Sequence, residues 1–200
     1  MRVGIGRAAG VWLGCWLIAN LIGGAMLAAV RTEADEPLPI WAVVLSALLL
    51  WVPMLVALVW LSRTDGTGDV VDDYGVRFAP IDLVGIPIGI LVYLPLEAIW
   101  PDTFSEDRLT ENARDLWDRA DGLWLIGLVL VVVVGAPLVE ELVYRGLLQG
   151  ALARRIDDVV AVVVVAAWFA LIHFRPVEYP GLFAIGLVFG ACALVTGRLG

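Results

Sequence analysis

The stretch Ala136–Gly150, APLVEELVYRGLLQG, decides how this chain is read. It sets two adjacent carboxylates, Glu140 and Glu141, in an apolar segment that begins near Leu123 and has no other charge until Arg145. An ionised side chain at the middle of a bilayer costs on the order of a few kcal/mol or more, so such groups usually face a polar interior and serve chemistry or transport. Composition supports the membrane setting. The chain has 200 residues, 61% of them hydrophobic by the broad count, and a mean hydropathy of +0.91; a soluble domain has about 45–50% apolar residues.

The expected fold is all-α: a polytopic membrane bundle of about six transmembrane helices plus one amphipathic interfacial helix. The first span covers residues 8–30 behind Arg2 and Arg7, and is too long for the usual signal-peptide core of about 7–15 residues. A second runs from Leu38 to Leu61 with Pro53 as an expected kink, and Trp41 and Trp60 mark its two ends. A third runs from about Ile81 to Trp100 and contains Pro87, Pro95 and, near its end, Glu97, read as reaching the interface. Residues 103–121 carry Leu109, Ala113, Leu116, Trp117 and Ala120 at helical spacing among many charges, with Thr103 and Glu106 as a capping box. The fourth span, Leu123 to about Ala153, holds the opening motif. The fifth is Val159–Phe174 and the sixth runs from Tyr179 to about Thr196. Valine runs at 131–134 and 162–165 suit strands by propensity, but span length and setting favour lipid-facing helix.

The formal net charge is −8 and all thirteen basic residues are arginine. No basic tract suits nucleic acid, so that partner class is set aside. Cys15 and Cys192 lie in distant apolar spans and read as small core residues rather than a disulfide or metal pair. A cytoplasmic N-terminus puts Arg2, Arg7, Arg63, Arg77, Arg154, Arg155 and Arg198 inside, and Arg31, Arg108, Arg114, Arg119 and Arg175 outside, a shallow positive-inside bias.

The one histidine, His173, closes the fifth span in WFALIHF. The short turn at 155–158 makes spans four and five antiparallel neighbours. Glu140 lies fourteen positions before Arg154 and His173 fifteen after Asp158, so at ~1.5 Å per residue both sit roughly 21–23 Å from the turn. The hairpin thus brings a carboxylate and an imidazole to one depth. Glu141 and Arg145 form an i, i+4 pair with the acid first, the better order, which leaves Glu140 as the working group. A carboxylate beside His173 can take a proton from water and pass it on. Pro137 frees a backbone carbonyl at this depth. The plainer alternatives are a buried Glu–Arg–His cluster that pins two helices, or a proton or ion relay. Trp168 and Phe169 read as packing groups, with Phe169 one turn from His173.

The motifs also carry a resemblance. EExxxR, as Glu140-Glu141 and Arg145 within APLVEELVYRG, resembles the first motif of the CAAX-protease and bacteriocin-processing (CPBP or ABI) membrane proteins. FALIH, Phe169–His173, resembles their FxxxH motif, and GLFAIGLVFGACALVTGRL resembles the stretch leading to the third. The likeness covers roughly residues 120–200, with a weaker echo at DYGVRFAPIDLVG. It implies one transmembrane domain over 1–200, with N-terminal helices to 119 and a catalytic region from 120. It further implies an intramembrane endopeptidase acting on a peptide or lipidated protein substrate in the lipid bilayer of the cell membrane. Glu140 would activate the water, His173 assist, Glu141 and Arg145 shape the site, and Phe169 contact substrate. The family's third motif supplies another His, often followed by an Asn, on the next helix. His173 is the single histidine here, so the sequence is expected to be truncated before that helix; a catalytically impaired chain is the other reading. No cofactor is expected. The family has also been described as metalloproteases, but one His with two Glu is an unusual zinc set. The competing functions are a non-catalytic immunity or scaffold protein of the same fold and a small transporter or proton-relay subunit.

Overall fold

The computed structural model describes residues 2–31, 37–99 and 114–199. Among these residues every regular element is helical. The elements are α1 (Ile5–Val30), α2 (Ile40–Asp65), the short α3 (Val70–Tyr74), α4 (Gly85–Ile99) after a 3-10 turn at Pro80–Val84, α5 (Gly122–Ala153), α6 (Asp158–Leu171) and α7 (Tyr179–Thr196). Four helical stretches, α1, α2, α5 and Pro176–Thr196, are long and apolar enough to cross a bilayer, and two shorter apolar helices, Pro80–Val92 and α6, accompany them. The chain is a multi-pass, all-α membrane protein.

The valine runs are helical, as their setting required. α2 continues through Pro53 without interruption. Two spans come out shorter than their apolar runs suggested. α4 starts only after the Pro80–Val84 turn, where Asp82 accepts the Ala79 amide at 2.6 Å. α6 stops at Leu171, so His173 stands in the turn just beyond its last helical residue, followed by Phe174 at a left-handed φ of 52°. Of the expected amphipathic helix, residues 114–119 are helical, and Leu116 and Ala120 pack with Ile40, Val44 and Leu128. Thr103, Glu106, Leu109 and Ala113 lie outside the described residues, as does the side chain of Glu97.

The core forms around α5. Trp12 of α1, Leu58 and Leu61 of α2, Tyr74 of α3, Val143 and Leu147 of α5, and Phe169 of α6 make one buried cluster. The opposite side of α5, including Leu123, Ile126, Leu130 and Val132, stays exposed. Apolar exposure on that scale suits lipid, where a helix need not hide its hydrocarbon. α6 and α7 pack tightly at two glycines spaced as GxxxG, Gly186 and Gly190. A Cβ on Gly186 would come 3.0 Å from Ala166 Cβ, and one on Gly190 would come 2.9 Å from Val162 Cγ1. In a bilayer no hydrophobic force drives helices together, so small residues and van der Waals contact do that work.

One end of the bundle gathers several chain segments. Arg7 pairs with Asp65 at 2.7 Å, Arg154 Nη2 donates to the Val3 carbonyl, and Arg198 grips Asp82 at 2.6 Å. Three of the seven arginines assigned to one side, Arg7, Arg154 and Arg198, thus bind through their side chains beside that end's connecting turns; Arg77 pairs with Asp72 there, and the Arg2 amide bonds Asp65 O. Asp73 organises the turn after α2. Its carboxylate accepts Ser62 Oγ at 2.5 Å and the Thr67 amide at 3.0 Å, and packs where a side chain on Gly66 would stand.

Two outcomes follow from this packing. Gly190→Val places methyls where Val162 and the Gln149 amide already sit, and overpacking of this kind costs about 1–3 kcal/mol; thermal unfolding in detergent reads the loss. Partial burial alone pushes the Asp73 carboxyl up, but its hydrogen bonds from Ser62 and Thr67 outweigh that and hold it below its ordinary value of 3.8. A depressed folded-state pKa gives stability that is present above the unfolded value and lost as pH falls through the folded one. Stability therefore declines below about pH 4, and Asp73→Asn flattens that part of the unfolding-versus-pH curve.

Candidate active site

α5 is not one regular α-helix. Residues Leu130–Gly135 and Glu141–Gln149 have the wider π-type turn, in which the Ala136 amide bonds Val131 O and the Gly150 amide bonds Arg145 O, five residues back. The first widening immediately precedes Pro137, which offers no N–H and crowds the carbonyl four residues before it. Such π segments occur often at functional sites. Here the second one starts at Glu141 and carries the whole EExxxR motif after Glu140. A wider turn advances less per residue than the α-helix, so the depth of Glu140 below the Arg154 turn is smaller than uniform α geometry gives.

Arg145 is the centre of the cluster. Its side chain is 2% exposed, in a largely apolar span. Nη1 lies 3.3 Å from Glu141 Oε1, and Nη2 donates to the Gly186 carbonyl of α7 at 3.3 Å. The guanidinium stands over the Phe169 ring at 4.9 Å and the Phe189 ring at 5.6 Å. Cation–π contacts of this kind stabilise by about 2 kcal/mol when desolvated. One turn later Gln149 repeats the arrangement, donating to the Gly190 carbonyl at 2.9 Å. Gly186 and Gly190, lacking Cβ atoms, leave those carbonyls open to side chains from α5.

Phe169 links this cluster to the histidine. Its ring is enclosed by Tyr144 at 5.1 Å, by the Arg145 guanidinium and by the His173 ring at 4.9 Å. His173 Nδ1 lies 2.7 Å from the Phe169 carbonyl. A carbonyl only accepts, so Nδ1 holds the hydrogen, and in the neutral ring Nε2 keeps its lone pair.

These contacts set the register of the α5–α6 hairpin. Phe169 faces Tyr144 and Arg145. In an antiparallel pair, one turn onward along α6 corresponds to one turn back along α5. His173 therefore falls near the turn of α5 that carries Glu140 and Glu141. The expected residues are joined in a chain: Glu141 to Arg145, Arg145 to Phe169, Phe169 to His173. Glu140 and His173 share no direct hydrogen bond among the described residues. Both are half-buried.

Tyr144 and Gln149 were not foreseen as part of this cluster. Gln149 had a visible signal, being a polar residue one turn after Arg145 in an apolar span. Tyr144 had none, because an aromatic beside a charged motif is ordinary in a core. Among the described residues, no group of three His, Cys, Asp or Glu is close enough to hold a metal ion. The Glu140, Glu141 and His173 set does not fit a three-ligand zinc site, and no step below is routed through a metal.

Fold and site together describe a polytopic helical membrane protein with a carboxylate–guanidinium–imidazole cluster inside the bundle. Residues 122–200 match the family model of type II CAAX prenyl endopeptidases, Rce1-like. The matched region comprises α5, α6 and α7, the three helices that carry the cluster, and the resemblance seen in the two motifs is shown for it. No characterised protein and no solved structure matches the chain.

Arg145→Met removes the charge that Glu141 faces and leaves a carboxylate stranded. Breaking a buried pair from one side costs about 3–5 kcal/mol, reduced toward the lower figure because Glu141 retains some exposure. Adding Glu141→Gln to Arg145→Met should restore part of that loss. A double-mutant cycle from unfolding midpoints in detergent measures the coupling, and strictly additive effects would refute the pairing.

Proposed function

We propose that this protein is an intramembrane endopeptidase that hydrolyses a peptide bond of a membrane-associated or lipidated substrate. What supports the reading is the packing of the α5–α6 hairpin, in which Phe169 lies against Tyr144, Arg145 and His173, so that the imidazole stands near the turn of α5 that carries Glu140 and Glu141. The family match over the same three helices supports it.

In this reading a water molecule lies between Glu140 and His173. Glu140 takes its proton as the oxygen attacks the substrate carbonyl, and then delivers a proton to the leaving amine. His173, fixed in its tautomer by the Phe169 carbonyl, accepts a hydrogen bond from the water through Nε2 and orients it. Arg145 holds Glu141 so that the two neighbouring carboxylates have different roles. Phe169 acts from behind the imidazole by setting its position. The substrate must reach the site as an extended chain, since the amides of a helix are occupied by their own hydrogen bonds. We place the protein in the cell membrane with its N-terminus cytoplasmic, on the side where the arginine-bearing turns gather. The region 120–200 is proposed as the catalytic part, with residues 1–119 as the helices that support it.

Glu140→Gln keeps size and hydrogen-bonding capacity but removes the base. Loss of a general base costs about 10²–10⁴-fold in rate, so cleavage of a membrane-protein substrate should fall into the background while the unfolding midpoint holds. Cleavage undiminished in a folded Glu140→Gln protein would overturn the reading. A cellular role that survives the substitution would point to a scaffold instead.

A further inference from the structure

The end of α6 is strained at one residue. Pro176 bars the residue before it from helical backbone, and Arg175 is accordingly extended, with φ −122° and ψ 90°. The chain turns one position earlier, at Phe174, whose φ is 52°. Among the described residues, Phe174 is the one residue other than glycine with a left-handed φ. A Cβ in that region crowds the following carbonyl, and helix ends usually give such a position to glycine. A bulky residue stays there only where its surroundings hold it.

The holding contact comes from α1. The Phe174 side chain is 67% exposed, yet its ring lies 5.9 Å from the Trp16 ring at an angle of 33°. Trp16 stacks in turn on Trp12, at 6.1 Å and 12°. Trp12 is 3% exposed and meets Trp168 of α6 edge-on at 5.1 Å. Trp16 is thus a fixed platform, and aromatic pairs in such geometries attract beyond the area they bury.

The turn at Phe174 also decides what the Phe169 carbonyl binds. In a continuing α-helix the amide of residue 173 would bond that carbonyl, four residues back. Here the His173 amide bonds Ala170 O at 3.2 Å, and the Phe174 amide bonds Leu171 O at 3.2 Å. The Phe169 carbonyl is left as one of the orphan acceptors of a helix end. His173 Nδ1 takes it at 2.7 Å. Extending α6 through residue 173 would return a backbone N–H to this carbonyl, in competition with the ring. How α6 ends and which imidazole nitrogen carries the hydrogen are therefore linked.

We infer that Phe174, docked on Trp16, is a positioning residue: it holds the left-handed turn that ends α6 and so keeps His173 in its Nδ1–H form, with the lone pair on Nε2. The inference rests on the endopeptidase reading for its use, since that lone pair is the one that orients the water. It adds a residue of α1, outside the region that matches the family model, to those that govern the imidazole. Without the turn the ring reverts to the Nε2–H form that an unrestrained imidazole favours, and the acceptor facing the water is lost.

The test reads the ring directly. His173 is the single histidine, so protein carrying nitrogen-15 histidine gives one imidazole pattern. Two-bond nitrogen–proton correlation spectra in detergent, at a pH where the ring is neutral, distinguish the two tautomers. The unsubstituted protein should show Nδ1–H. Phe174→Ala removes the docked ring but keeps a Cβ, and Trp16→Ala removes the platform. Each should move the tautomer ratio about tenfold toward Nε2–H. Phe174→Gly adopts the left-handed turn without an anchor, and should keep Nδ1–H alone and when combined with Trp16→Ala. Phe174 is mostly exposed, so shortening it opens no core cavity, and unfolding midpoints identify folded variants. An unsubstituted protein in the Nε2–H form, a Phe174→Ala protein that stays Nδ1–H, or a glycine variant that shifts as far as the alanine one would each overturn the inference. No substrate enters these spectra, so the two readings fail separately. The expected tautomers beside cleavage that survives Glu140→Gln would remove the endopeptidase reading alone, and unmoved tautomers beside Glu140-dependent cleavage would remove the positioning role alone.

Discussion

The arrangement depends on one buried cation. Arg145 sits in hydrocarbon, where an unpaired guanidinium is untenable, and it is stabilised by groups from three helices. Glu141 supplies the counter-charge from α5, Gly186 a backbone carbonyl from α7, and Phe169 an aromatic face from α6. Each partner constrains something else. The carbonyl is reachable because residue 186 has no side chain, which also lets α6 and α7 close to contact at Ala166. The Phe169 ring under the guanidinium fixes α6 along α5, and with it the level of His173. Satisfying one charge thereby sets the register of the helices that bear the proposed chemistry.

Much of this was legible in the sequence, and for physical reasons. A charge in an apolar span is costly enough to demand partners, so Glu140, Glu141, Arg145 and His173 announce themselves by residue type alone. The short turn read at 155–158 forces antiparallel neighbours, while the π-type turns of α5 alter the depth that counting gives for Glu140. The span α7 appears within the bounds that its apolar run gives. Other features depend on tertiary context. The π-type turns of α5 lie on either side of the segment holding Pro137, where the sequence alone suggests one regular helix. The early end of α6 at Leu171 was hidden, because IHF is apolar enough to continue a helix. Tyr144 resembles any core aromatic until Trp12 and Phe169 are seen against it.

The strap at 74–82 shows how residues outside the motif region bear on the site. DYGVRFAPID is polar and rich in turn formers, and by composition it is an interfacial loop. Its Gly75, Val76 and Asp82 meet Gly197, Leu199 and Arg198, closing a cavity against Glu141. Glycine at 75 is required by both conformation and space. The Asp82–Arg198 pair thus joins the N-terminal helices to the region that matches the peptidase family.

The central claim is the register that sets His173 level with Glu140. In a Cys15→Ser, Cys192→Ser background, Glu140→Cys combined with His173→Cys should be joined efficiently by a short bismaleimide in the membrane. Glu140→Cys combined with Val165→Cys, two turns away along α6, should not. Cross-linking at 173 and not at 165 is the result this account predicts. Efficient linkage through 165, with none through 173, would place the imidazole at another depth and contradict it.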